Sequence, residues 1–185
     1  PMMSDLNTLL GSLPQPRLDT STPGGSLLQD MLDSDGRPHE IPRHRVAAVR
    51  THLNTHFWDF AYLIGGCNIL HNPLHGTPCQ LMERWGEPGW KRIMLQLPRA
   101  SLKSTVFTRT GALWKICQHS NATVAIFNEK VERVEKWLLA IQSIVAGNPL
   151  FYALYRDIIP PGVSKEDGRT LPKSWKWSSR EMTFV

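Results

Sequence analysis

The stretch Leu97-Pro-Arg-Ala-Ser-Leu-Lys-Ser-Thr105 joins an apolar run, Ile93-Met-Leu-Gln-Leu97, to a segment of helical character, Ser104–Gln118. The run is short and bounded by polar residues, as a buried strand is. A strand, a loop and a helix opening on Lys-Ser form the context in which backbone N–H groups cradle phosphates. The helix N-terminus adds about half a positive charge. In such a loop Lys103 reaches the β- and γ-phosphates and Ser104 ligates Mg²⁺. The glycines of the usual G-x-x-x-x-G-K-[ST] pattern are replaced here by Leu97 and Leu102. A leucine at positive φ costs about 1–2 kcal/mol. Either the loop avoids that conformation or it holds strain for function.

Downstream the pattern repeats. Thr123-Val-Ala-Ile-Phe127 reads as a second buried strand, and Glu129–Val145 as a helix with Val131, Val134, Leu138, Ile141 and Val145 on one face. Strand, helix, strand, helix at this spacing predicts an α/β fold with a partial parallel sheet and right-handed crossovers. Gly147-Asn-Pro149 ends the helix, Leu150–Arg156 forms another, and Glu181-Met-Thr-Phe-Val185 opens a third strand. Upstream, Val46, Val49, Leu53, Phe57, Phe60 and Ile64 predict one helix from Pro42 to Gly65-Gly66. A Pro/Gly-punctuated stretch runs to Pro78, a short helix covers Cys79–Trp85, and Gly86–Trp90 is a loop. Residues 1–38 are rich in Ser, Thr, Pro, Gly and Asp, the composition of a flexible arm. Three regions result: an arm (1–38), a helical region (39–90) and the first part of an ATPase-type core (91–185).

The 185 residues carry a formal net charge of +5. Residues 91–136 hold nine basic and three acidic side chains, a net of +6, while the rest of the chain nets −1. The positive excess therefore surrounds Lys103, and its first partner is phosphate. The longest uncharged apolar run, Phe60–Leu70, is interrupted by Gly65-Gly66 and falls short of the roughly 20 residues of a bilayer span. No basic flank precedes an apolar stretch at the N-terminus, so neither a secretory signal nor a membrane partner is expected. Cys67, Cys79 and Cys117 are too few and scattered for a disulfide framework, which fits reduced thiols in a cytosol.

The loop resembles the deviant Walker A motif of the large terminase subunits of tailed bacteriophages. That family opens the loop on Pro-Arg, tolerates loss of the glycines and closes on Lys-Ser-Thr. The resemblance covers about residues 70–185. It takes in a helical element at His71–Trp85, the polar end of Ala122–Asn128, Asn148-Pro-Leu-Phe151, and Lys176-Trp177 leading to Glu181–Val185. It implies a P-loop ATPase motor that pumps double-stranded viral DNA into a procapsid. The cofactors would be ATP and Mg²⁺, and the ATP-binding residues Pro98, Arg99, Ala100, Ser101, Leu102, Lys103, Ser104 and Thr105. Within that set Lys103 and Arg99 are catalytic, Arg99 as the loop arginine that senses the γ-phosphate, and Ser104 supports the metal. The implied partners are sibling subunits in a ring, a portal protein, a small terminase subunit and DNA. The implied setting is the host cytoplasm, docked transiently on the procapsid. No apolar strand ending in paired acids follows Phe127, and the family's nuclease has no counterpart here, so this chain alone is expected to hydrolyse ATP negligibly. Two other readings stand beside it: a helicase-like DNA-dependent ATPase, and a non-enzymatic adaptor with a vestigial loop.

Other groupings read more simply. Cys67, His71, His75 and Cys79 recur every four residues, a zinc-like set that is more simply a core or loop anchor. His75 and Gln80 have the chemistry to touch a base, or to cap and face solvent. Asn128 is either a ligand contact at a sheet edge or a helix cap. Glu129–Lys136 reads as a solvated face with internal ion pairs. Trp85, Trp90, Trp114 and Trp137 read as packing residues, and Trp175–Arg180 as a conceivable nucleic-acid contact.

Overall fold

Of the apolar stripe of the first helical region, Val49, Leu53, Phe57, Phe60 and Ile64 are buried to within 1% of their surface, and Val46 is half-buried. In the computed structural model, which describes residues 43–119, 122–160, 163, 178, 180–182 and 184, the stripe belongs to two helices. They are α1 (Arg43–Thr55) and α2 (Phe57–Leu63). The expected single helix breaks at His56, which is extended. The cause is long-range. Glu83 Oε1 takes the Phe57 N–H at 2.9 Å. Trp114 Nε1 donates to Leu53 O at 2.8 Å, and Gln118 Nε2 donates to Asn54 O. Side chains from elsewhere thus satisfy the orphan groups that a helix end creates. Across the break, His52 Nε2 and Asp59 Oδ2 meet at 2.6 Å, both buried.

The third helix, α3 (Asn72–Glu83), begins earlier than Cys79 because Pro73 stands in its first turn, where a missing N–H costs nothing. A π-helical segment, Ser104–Thr110, runs on without interruption into α4 (Gly111–Gln118). The amphipathic helix is α5 (Val131–Gly147), and α6 (Pro149–Tyr155) follows after one residue. That residue, Asn148, caps α6 by accepting the Phe151 N–H at 3.0 Å and donates to Ile64 O at 3.2 Å. α1 packs on α2, α4 and α6, α2 on α3 and α4, and α5 on the π segment and α6. Trp114, Phe57, Phe60, Phe151 and Tyr155 fill the centre.

The parallel sheet is not found. The described residues are 58% helical and essentially without strands; Met182 alone occupies a bridge position. This corrects the α/β expectation and its P-loop core with a partial sheet. Residues 92–98 and 122–128 carry no regular secondary structure and belong to no ladder among the described residues. They are not buried runs either, since Met94 is 83% and Phe127 88% exposed. Alternate residues, Ile93, Leu95 and Leu97, and then Val124 and Ile126, are half-buried. That is the two-residue rhythm of extended chain, but a strand also needs hydrogen bonds from a neighbour. The arm at 1–38 and most of Trp175–Arg180 lie outside the described residues.

Candidate functional site

Between residues 92–97 and the helix, the chain turns through Pro98-Arg99-Ala100-Ser101-Leu102. Ala100 (φ 62°) and Leu102 (φ 56°) are left-handed, the only non-glycine residues at positive φ among those described. Such backbone costs about 1–2 kcal/mol per residue, so both strained positions fall in one loop. The conformation that glycine would favour at position 102 is kept with leucine. Its half-buried side chain packs against the core. Lys103 returns to φ −50° and ψ −43°. Neighbouring residues of opposite hand turn successive N–H groups to one side, the geometry of an anion-binding nest.

Three hydrogen bonds hold the loop. Lys103 Nζ donates to Leu97 O at 3.0 Å, closing the loop on itself. His75 Nε2 meets Ser101 O at 2.9 Å. The Val106 N–H bonds Leu102 O at 2.9 Å and starts the helix. His75 is 3% exposed, and its Nδ1 accepts the His71 N–H at 3.0 Å. A ring nitrogen that accepts carries no hydrogen, so Nε2 is the donor to Ser101. Ser101 is buried, and its Oγ finds no partner among the described residues.

Below the loop the helix is wound as π, a form that is rare and concentrated at functional sites. Thr110 Oγ1 donates five residues back to Thr105 O at 3.0 Å. The segment sits against Gly65, where an added Cβ would lie 2.6 Å from Thr110 Cγ2 and 2.7 Å from Ala61 O. Arg109 Nη2 donates to Gly65 O at 2.9 Å, while its buried Nε has no partner among the described residues.

The sequence-derived site residues are thus contiguous. Pro98, Arg99, Ala100 and Lys103 are exposed, Ser104 and Thr105 half-buried, and Ser101 buried. Arg99 makes no ion pair and no carboxylate hydrogen-bonds to the loop, among the described residues. The loop suits a phosphate: its donors are backbone N–H groups, the Lys103 ammonium and two hydroxyls. For Mg²⁺, which demands oxygen ligands, the loop offers Ser104.

The remaining candidates separate. Cys67 and Cys79 are buried in the core, and burial pushes both thiols up, so they stay protonated at neutral pH. Among the described residues no group of three or more His, Cys, Asp or Glu side chains is placed to hold a metal. Gln80 is exposed on α3. Asn128 Oδ1 accepts the Lys130 N–H at 3.0 Å, a turn just ahead of α5. The expected ion pairs within Glu129–Lys136 are replaced by Glu135 with Arg180, 3.0 Å apart. Trp114 is fully buried, whereas Trp85 is 39% exposed, with Lys115 Nζ 5.5 Å from its ring centroid. A cavity of about 530 Å³ lies between residues 122–126, α4, α5 and residues 180–182 and 184, and no loop residue lines it. The sequence offered His75 as part of a core or loop anchor; which group it holds was not legible, because the Ser101 carbonyl lies 26 residues away. Comparison with family models, with curated proteins and with solved structures returned no match.

Proposed function

We propose that residues 97–105 bind the phosphates of ATP with Mg²⁺, and that the chain is the ATP-binding portion of a viral large terminase that drives double-stranded DNA into a procapsid. The observation that carries the reading is the pairing of left-handed Ala100 and Leu102 with Lys103 at a helix start. Strain of this kind persists where the surroundings over-determine it, as at ligand clamps. On this reading the N–H groups of the loop receive phosphate oxygens. Lys103 exchanges its bond to Leu97 O for the β- and γ-phosphates, and Ser104 and Thr105 offer hydroxyls. Arg99, exposed at the loop's shoulder, faces the γ-phosphate of its own or a sibling site. ATP supplies the phosphoanhydride energy; these residues supply binding and orientation. The partners follow from the same reading: a ring of subunits, the portal, the small terminase subunit and duplex DNA, in the host cytoplasm at the procapsid.

One observation favours a second reading. Lys103 is already satisfied by Leu97 O, as it would be in an adaptor whose loop no longer binds nucleotide. Lys103→Ala in the intact packaging complex separates the two. The motor reading expects normal assembly and loss of DNA packaging; unimpaired packaging would establish the adaptor.

A further inference from the structure

We infer that His75 is a positioning residue for the loop, a neutral two-sided latch that sets the direction of the Leu102 N–H. The inference takes its functional consequence from the phosphate reading, while its geometry stands apart from it. Ser101 lies between the two left-handed residues, and its carbonyl is the group that His75 Nε2 holds at 2.9 Å. The peptide joining residues 101 and 102 is planar and trans, so its C=O and N–H point in opposite directions. Fixing the Ser101 carbonyl on the buried ring therefore directs the Leu102 N–H away from α3. The ring itself cannot turn without loss. Its Nδ1 is held by the His71 N–H at 3.0 Å, and Phe107 of the π segment stacks on it with centroids 6.5 Å apart. α3, the loop and the π segment thus converge on one imidazole that is 3% exposed. A loop built with leucine where glycine would relax needs an external hold, and His75 provides it.

The two nitrogens have separable substitutes. The amide of Gln reaches as far as Nε2 and can donate to Ser101 O. Asn places an acceptor near Nδ1 and can keep the His71 N–H, but falls short of Ser101. His75→Asn should lower the backbone ¹⁵N order parameters at 99–104 from the rigid range, about 0.85, to below about 0.6, and weaken binding of a fluorescent ATP analogue with Mg²⁺ by about tenfold, the scale of one lost hydrogen bond. His75→Gln should stay near wild type in both. A purely structural role in capping α3 gives the reverse order, with Asn tolerated and Gln disruptive in α3 exchange and melting temperature. Loop order parameters unchanged in His75→Asn overturn the latch, whatever the nucleotide does. A loosened loop in a protein that binds no nucleotide supports the latch and removes the phosphate reading instead. Should His75→Asn fail to fold, His75→Gln decides: a loosened loop in a folded His75→Gln overturns the latch, and native loop order parameters support it.

Discussion

Ala100→Gly isolates the strain in the loop. Ala100 is exposed with φ 62°, so the substitution removes no buried surface and relieves the clash between Cβ and the backbone. The relief is about 1–2 kcal/mol, and the extra freedom of glycine in the unfolded chain offsets about 0.4–1 kcal/mol of it. The net expectation is a stabilisation of about 0–1.6 kcal/mol, or up to about 3–6 °C in melting temperature for a chain of this length. Ala48→Gly is the matched control. Ala48 is equally exposed but lies inside α1, where glycine costs about 1 kcal/mol. Thermal and urea unfolding of the two variants should therefore move in opposite directions. Leu102→Gly is the less clean probe, since it also removes a side chain packed on the core. If Ala100→Gly destabilises as much as Ala48→Gly, the loop is not left-handed at position 100, and the nest argument fails with it.

Four further outcomes follow from packing and charge. Gly65→Ala forces a Cβ to within 2.7 Å of backbone and a β-branched side chain, and should cost about 1–3 kcal/mol, read by urea unfolding. Gly111→Ala meets only the flexible Met82 Cε at under 3 Å and should be near neutral, since alanine gains about 1 kcal/mol over glycine within a helix. Trp114→Phe leaves Leu53 O without its indole donor in a buried site and should cost at least about 1–3 kcal/mol; a loss within error would show that water reaches the break between α1 and α2. Burial raises the Glu83 carboxyl above the ordinary glutamate range. The folded protein then holds that proton more tightly than the unfolded chain, so the contribution of Glu83 is fully present at acid pH and lost as pH rises through the raised pKa. Glu83→Gln keeps an acceptor for the Phe57 N–H without the charge. Its melting temperature should exceed wild type at about pH 8, with the gap closing near about pH 4; a gap that widens toward acid contradicts the assignment.

The helices were legible because their apolar residues recur locally. Val131, Val134, Leu138, Ile141 and Val145 mark α5, and Asn148-Pro149 marks the stop and restart into α6. The break at His56 was not, since it is made by Glu83, Trp114 and Gln118, which no local pattern connects to α1. Ile93–Leu97 and Thr123–Phe127 have the composition of strands and bury alternate residues, but form no strand among the described residues. Strandhood also depends on a ladder partner, and composition cannot supply one. The site fared differently. The question at Leu102, whether leucine would accept a glycine conformation, was posed by the motif and answered by φ 56°. His75 carried only the general reading of a core or loop anchor, because a histidine at helical spacing from His71 and Cys79 looks alike as ligand, cap or latch.

The proposed function stands or falls on whether this loop binds the phosphates of a nucleotide through Lys103. A titration of the full 185-residue chain with a fluorescent ATP analogue and Mg²⁺, run beside Lys103→Ala with melting temperature as the folding control, tests it most directly. The wild type should bind saturably, with displacement by pyrophosphate, and the variant should lose about tenfold or more in affinity at unchanged stability, as removal of a charged hydrogen bond implies. Equal binding by the two proteins, or none by the wild type, would contradict it.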